Sequence, residues 1–292
     1  MAKNPPTVRM RRLGAQLRNI RRDRGLTLDE AADLLNLSKS ALNRMENAQV
    51  ITRRHEVEYL LIKYEVTDRD LHDSLLGLAA AGHSRDWVKR YGPLAPEPNV
   101  GDFIRLEQDS TAVRTFQPIV IPGLLQTPDY ARAVMQSVVH DPARDLDSSV
   151  AYRMARQEVL TRPRPARLEA VIGEAALRQR QGTSQVMADQ LRHLVEVSQR
   201  DNIAVSVLPF DAPRNPGTDG PFTMLDVETG GFTAAIVESL ARTVCVEDET
   251  AVERYNVVFA ELCALALPGA ETRALIERMA RELETSAGEG AA

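Results

Sequence analysis

The sequence is poor in cysteine and in long apolar runs, and both absences exclude classes of protein. Cys245 and Cys263 are the only cysteines in 292 residues. Two are too few for a disulfide framework, and neither has a second cysteine or a histidine at a metal-ligand spacing. No apolar stretch approaches the ~20 residues of a membrane-spanning helix, and the basic N-terminus lacks the apolar core of a secretory signal. We therefore expect a cytoplasmic protein without a metal or cofactor.

Lysine is also scarce, and charge is unevenly spread along the chain. All four lysines lie before residue 90. Residues 1–54 hold 12 Lys or Arg and 5 Asp or Glu, a net charge of +7, whereas residues 92–292 hold 19 Arg and 29 acidic residues, a net charge of −10. A basic head on an acidic body indicates an anionic partner for the head, with nucleic acid first and an anionic membrane surface second. A basic face that is merely solvated is the alternative.

The composition predicts an ordered chain of two domains. Apolar residues make up 43 % and charged residues 26 %, which excludes disorder as the overall class, and single cores usually stop growing below ~250–300 residues. The proline-rich segment GPLAPEPN at 92–99 marks the boundary. We predict a basic flexible arm at 1–12, a head domain at 13–81, a connecting segment at 82–99, a body domain at 100–285 and a flexible tail at 286–292.

Helix signals in the head predict a helix-turn-helix. Leu13, Leu17 and Ile20 recur at helical spacing in a first helix. Thr27 with the glutamate three residues later forms a capping box that opens a second helix, and Ser38 caps a third. Two further apolar stripes, between residues 57 and 78, complete a mainly α bundle of five helices, and Thr67 is the predicted cap of the fifth. Two short helices joined by about three residues are the layout of DNA-binding helix-turn-helix domains.

The polar face of the third helix carries long donors of the kind that read base edges in the major groove. The predicted base contacts are Lys39, Ser40, Asn43 and Arg44. Exposed amides at the start of the second helix are expected to hold a phosphate, and arginines flank the motif. The predicted phosphate contacts are Thr27, Leu28, Arg11, Arg12, Arg53 and Arg54. A polar face without a DNA role is the alternative, since every amphipathic helix has one.

The stretch LGAQLRNIRRDRGLTLDEAADLLNLSKSALNRMENAQ, residues 13–49, resembles the DNA-binding domain of the Cro and phage-repressor (XRE) class. The resemblance implies an internal, structural ion pair between Arg21 and Glu46. It also implies a homodimer on double-stranded operator DNA, whose half-sites lie about 34 Å apart. Ala48 stands where that class often has a glycine.

Beyond residue 100, helical and strand patterns alternate, which predicts an α+β domain with a small, mostly antiparallel sheet. Phe103, Leu106 and Val113 suggest a helix that ends at Gln117 before a proline. Further helices are predicted at 127–138, 148–160, 184–198, 249–267 and 271–285, and strands at 168–172, 203–208, 222–227, 232–238 and 243–247.

The body carries the segments VIPGLLQTPDYARAV, YRMARQEVL, IGEAAL, MADQLRHLVE, VSVLPF and GPFTMLD. Together with the head they resemble the WhiJ-like regulators of actinobacteria. The resemblance implies a transcriptional regulator whose gene often lies beside that of a very small partner protein, an arrangement similar to a toxin-antitoxin pair.

The body shows no enzyme motif, and we expect no catalysis: its histidines lack a recognised nucleophile nearby, and no P-loop or HExxH pattern occurs. Leu124 and Leu125, on a turn bounded by proline and glycine, are the candidate surface for a partner or ligand, although both could simply fill the core. The expected function is a DNA-binding repressor or autoregulator whose body binds an effector, with a small protein first. The alternatives are an antitoxin-like protein and a small-molecule-sensing repressor.

Overall fold

The computed structural model describes residues 6–81, 98–138, 145–239 and 242–289. Most of the predicted connecting segment and the last three residues of the tail lie outside these ranges. Contacts divide the chain into two compact units. One contains residues 1–105 with the turn 227–232, and the other contains residues 106–226 and 233–292.

The head is a bundle of five helices, as predicted. They are α1 (Val8–Asp23), α2 (Leu28–Leu34), α3 (Lys39–Glu46), α4 (Arg54–Lys63) and α5 (Arg69–Ala81). Helix α1 packs against α3 and α5, and α2 packs against α3. Leu17, Leu35, Leu42 and Leu61 are almost fully buried between them. This core fixes the angle between α2 and α3 and so sets which side chains of α3 face outward.

Two details of the head differ from the sequence prediction. Helix α1 begins at Val8, capped by the Thr7 hydroxyl, so residues 8–12 of the predicted arm are helical. At the start of α5, the Asp68 carboxylate accepts hydrogen bonds from two backbone amides, a capping role that we had predicted for Thr67. A carboxylate caps as well as a hydroxyl does and adds a favourable charge at the helix N-terminus.

The body combines one six-stranded mixed sheet with helices, which confirms the α+β class. The helices are α6 (Pro98–Gln108), α7 (Pro128–Val138), α8 (Leu146–Arg156), α9 (Glu174–Arg178), α10 (Ser184–Val197), α11 (Glu249–Leu265) and α12 (Gly269–Glu289). The strands are β1 (Ser110–Gln117), β2 (Arg167–Gly173), β3 (Ile203–Leu208), β4 (Phe222–Val227), β5 (Phe232–Glu238) and β6 (Thr243–Val246). Two 3-10 turns cover Gly123–Leu125 and Gln157–Leu160.

The strand order is β3-β2-β1-β4-β5-β6. Strand β1 pairs in parallel with β2, and β2 in parallel with β3, whereas β5 and β6 are antiparallel. This six-stranded sheet, with two parallel pairs, is larger and more mixed than the small, mostly antiparallel one we predicted. The reason lies in the connections, because α7 and α8 separate β1 from β2, and α9 and α10 separate β2 from β3. Long helical crossovers are what parallel pairs require.

Strand β1 occupies residues that the sequence pattern assigned to a helix. Helix α6 ends at Gln108, and Ser110–Gln117 is a strand inside the sheet. The strand was hard to predict because it contains polar residues that are buried. One of them is Thr115, whose hydroxyl lies 2.9 Å from the hydroxyl of Thr223. Helix α6 also begins two residues before the predicted domain boundary, and α12 extends four residues into the predicted tail.

Candidate nucleic-acid interface

A buried ion pair joins α1 to the end of α3. Arg21 donates from Nε to Oε1 of Glu46 at 2.6 Å and from Nη2 to Oε2 at 2.9 Å. A third bond runs from Nη1 to the carbonyl of Leu26, in the loop before α2. The hydrogen bonds with Glu46 raise the pKa of Arg21 despite partial burial. Because both groups are buried, the pair holds the motif together and does not face DNA, as the resemblance implied.

Two residues that we did not predict also fix α3. A Cβ atom on Gly14 would lie 2.7 Å from the carbonyl oxygen of Glu46 and 2.8 Å from that of Met45. Only glycine therefore lets α1 approach α3 this closely. Arg18 donates from Nη2 to the Glu46 carbonyl at 2.8 Å and to the side-chain oxygen of Asn47 at 2.5 Å. A glycine inside an otherwise helical stripe was the available signal for the close approach.

The outward face of α3 consists of the residues that we predicted to contact bases. Lys39, Ser40, Asn43 and Arg44 are all exposed, whereas Leu42 and Glu46 on the opposite side are buried. The four exposed side chains form one polar surface because they lie at positions i, i+1, i+4 and i+5 of one helix. Asn43 also accepts two hydrogen bonds from the amide of Asn47, which restrains both side chains.

The charges on this face are not equally available. Lys39 donates to the Asp29 carboxylate of α2 at 2.7 Å, and both side chains are exposed. Within the described residues, the Arg44 side chain donates one hydrogen bond, to the Ser40 hydroxyl at 3.4 Å, and makes no ion pair. An exposed pair such as Lys39 and Asp29 is worth little and exchanges readily. Arg44 is therefore the cation best placed to reach a base edge without first breaking an ion pair.

The start of α2 is less suited to a phosphate than the sequence suggested. Thr27 and Glu30 form the predicted capping box: the Thr27 amide and hydroxyl both donate to Oε2 of Glu30. Hydrogen bonds from Thr27 lower the pKa of Glu30, so the carboxylate stays charged beside the helix end. Of the two predicted amide donors, the Thr27 amide is occupied, which leaves Leu28. Asp29 and Glu30 in the first turn further oppose an anion.

The flanking arginines fall into two groups. Arg53 and Arg54, at the start of α4, are exposed and make no ion pair in the part of the chain that the structure describes. Arg11 donates to the carbonyl of Pro6 at 2.7 Å. The guanidinium of Arg12 lies 4.7 Å from the ring centroid of Phe232, which belongs to the same compact unit. Arg53 and Arg54 are thus the phosphate candidates whose charges have no ionic partner here.

Leu124 and Leu125, the predicted contact surface of the body, are buried. Leu124 is 6 % exposed and Leu125 is 1 % exposed. Both side chains line a cavity of about 350 Å³. This burial agrees with the alternative that both residues fill the core, and it leaves neither of them an exposed face for another protein.

Two absences concern the described ranges only. Within them, no helix is both long and apolar enough to cross a membrane. No cluster of His, Cys, Asp and Glu there could hold a metal ion.

A capped α2, a short turn, and an exposed polar α3 locked to α1 define a DNA-binding regulator of the helix-turn-helix class. Comparison with known families agrees, since residues 12–75 match the family described as a helix-turn-helix domain. Residues 100–278, more than half of the chain, match a domain of unknown function (DUF5753), and the chain belongs to that family. No curated protein and no solved structure matches the chain.

Proposed function

We propose that this protein is a sequence-specific transcriptional repressor and autoregulator of the XRE class and of the WhiJ-like group. It works in the cytoplasm as a homodimer on operator DNA and is not an enzyme. The observation that carries the proposal is the exposed row of Lys39, Ser40, Asn43 and Arg44 on a helix fixed from behind by a buried ion pair. Rigid placement of such donors is what base reading needs, because hydrogen bonds to base edges tolerate little displacement.

Phosphate binding supplies affinity in this proposal, and α3 supplies specificity. Arg53 and Arg54 reach the backbone from the start of α4, where neither is tied to a carboxylate in the described structure. Contacts of this type position a protein on any duplex without reading its sequence. In a homodimer, two such heads would grip half-sites about 34 Å apart on one side of the duplex.

The test starts from an operator selected from random duplexes by the full-length protein. Arg44→Ala should weaken binding to that operator about 10- to 100-fold and leave binding to random duplex nearly unchanged, since a lost base contact costs about 1–3 kcal/mol. Arg53→Ala should weaken both alike and lower the slope of log affinity against log salt by about 1. Arg22→Ala, which removes an exposed charge from α1, is the control. Equal weakening of both duplexes by Arg44→Ala would contradict the assignment.

We also propose that the body binds an effector that changes the affinity of the heads for DNA. Such coupling needs an occupant that binds the two states of the regulator with different affinity. Burial of Leu124 and Leu125 against a cavity favours the small-molecule sensor over a small partner protein or an antitoxin-like role. Operator affinity that stays unchanged with any ligand shown to fill the cavity would contradict the coupling.

A further inference from the structure

A cavity in the body brings together three segments that are distant in sequence. The 3-10 turn Gly123–Leu125, the end of α8 with the 3-10 turn Gln157–Leu160, and the last turns of α10 surround a space of about 350 Å³. This volume lies at the lower end of the range of small-molecule sites. The helix-turn-helix makes no use of it, since every lining residue lies in the second compact unit.

The inner wall of the cavity is apolar. Leu124, Leu125, Leu160, Val197 and Ile203 line it, and each is at most 6 % exposed. An occupant with an apolar body of matching size would gain about 25 cal/mol for each Å² of apolar surface removed from water.

The mouth of the cavity carries one positive and one negative side chain. Arg200, after the end of α10, and Glu158, in the second 3-10 turn, both line it and are exposed. Neither makes an ion pair with any residue in the described ranges, and they do not pair with each other. A ligand with a single charge would meet one opposite charge and one like charge here. A ligand with both charges would meet two opposite ones.

Two neutral hydrogen-bonding side chains, His193 and Gln157, also line the cavity. Burial lowers the pKa of His193, so its imidazole is neutral at pH 7 and offers one donor and one acceptor. The amide nitrogen of Gln157 donates to the carbonyls of Gly123 and Gln126, which fixes its orientation and leaves its side-chain oxygen as an acceptor. The lining therefore offers fixed hydrogen-bonding groups as well as apolar side chains.

We propose that this cavity binds a small zwitterion with an apolar body, of the class of the large apolar amino acids. Arg200 pairs with the carboxylate of the ligand, Glu158 pairs with its ammonium group, and the apolar body lies against the leucines. This proposal concerns ligand binding by the body and not DNA binding by the head. It holds whether or not the bound ligand alters the affinity for an operator.

Three probes with the same ring test the charge requirement on the full-length protein: L-phenylalanine, 3-phenylpropionate and phenethylamine. They carry both charges, only the negative one, and only the positive one. In calorimetric titration or ligand-observed NMR, L-phenylalanine should bind about fivefold or more tighter than either singly charged probe, which corresponds to roughly 1 kcal/mol. Equal or tighter binding of a singly charged probe would overturn the proposal, and so would no binding of any probe at millimolar concentration.

Two charge-neutralising variants should change the relative affinities of the three probes in different ways. Arg200→Gln should weaken L-phenylalanine and 3-phenylpropionate but spare phenethylamine, whereas Glu158→Gln should weaken L-phenylalanine and phenethylamine and spare the acid. The control is Arg254→Gln, because exposed Arg254 lines a second cavity, of about 340 Å³, in the same unit. If Arg254→Gln weakens binding as much as Arg200→Gln does, the site is not the one proposed. Circular dichroism checks that each variant is folded.

Discussion

Among the described residues, the head and the body each contain a buried, bidentate pair of arginine and glutamate, and the two pairs have different roles. In the head, Arg21 and Glu46 connect α1 to the end of the recognition helix. In the body, Arg156 donates to Glu107 at 2.8 and 2.7 Å and connects α8 to α6. The first pair positions the exposed face of α3, whereas the second joins two helices of the body. The same chemistry thus supports function in one unit and architecture in the other.

The two pairs are buried to a similar degree. Glu107 is 1 % exposed and Glu46 is 4 % exposed. Burial works against the charge of Arg156, but the charge and hydrogen bonds of Glu107 overcome it and raise the arginine pKa. An arginine left alone in such a place keeps its charge, so the loss of its glutamate is costly.

The largest effect should follow from removing the glutamate of either pair. Glu107→Ala and Glu46→Ala should each lower the free energy of unfolding by about 3–5 kcal/mol, since each leaves a buried charge uncompensated. Denaturant titration measures the loss, and amide exchange locates it in α6 and α8 or in α1 and α3. Glu107→Gln and Glu46→Gln keep the volume as controls. A loss below about 1 kcal/mol for Glu107→Ala would break the comparison.

A smaller but still clear effect should come from the close approach of α1 to α3 in the head. Gly14→Ala should cost about 1–3 kcal/mol, since its methyl group would overlap the carbonyls of α3. DNA affinity should fall with it, because α3 would be displaced. Gly101→Ala is the matched control: the added methyl in α6 meets nothing within 4 Å, and the helix should gain about 0.5–1 kcal/mol. Thermal melts and duplex titrations distinguish the two outcomes.

Alkaline pH should reveal a buried phenol in each unit. Burial raises the pKa of Tyr64 in the head and of Tyr152 in the body to about 12. A folded-state pKa above the unfolded value of ~10 means that this contribution to stability is lost as the pH rises from 10 through 12. The Tyr64 hydroxyl is buried without a hydrogen bond in the described structure. Tyr64→Phe should therefore retain about 1 kcal/mol more stability at about pH 11 than the native chain, measured by denaturation across pH. The prediction would be wrong if the stabilities of Tyr64→Phe and of the native chain fell in parallel across this pH range.

The smallest effect should arise at the exposed pair on the interface. Asp29→Asn releases Lys39 and removes a negative charge beside the recognition helix, so duplex affinity should rise about threefold at low salt and converge with the native value at high salt. Stability should change by less than about 0.5 kcal/mol, because the pair is exposed. Asp23→Asn, the same charge change at the end of α1, is the control in fluorescence titrations. If Asp23→Asn raises duplex affinity equally, the effect comes from the net charge of the protein and not from the release of Lys39.

The head was predictable because its signals are local. The capping box of Thr27 and Glu30, the cap at Ser38 and the alternation of buried and exposed residues on α3 lie within a few residues of each other. Most helix and strand positions in the body were also predicted. What could not be predicted depends on residues distant in sequence, such as Thr115 meeting Thr223 across the sheet. The cavity is of the same kind, because its wall comes from separate segments and no single one of them indicates a space.

Three helices of the head end on a residue in the left-handed conformation that is not glycine: Asn36 after α2, Ala48 after α3 and Glu65 after α4. Helix α1 ends on Gly25, which adopts this conformation without strain. Each of the other three ends costs the folded state up to about 1 kcal/mol, least for asparagine. Glycine at the exposed positions 36 and 65 would recover part of that energy. When the recognition helix of such a regulator changes sequence to bind a new operator, the substitutions can destabilise the fold. Glycine substitutions at helix ends that do not contact DNA could therefore offset that loss.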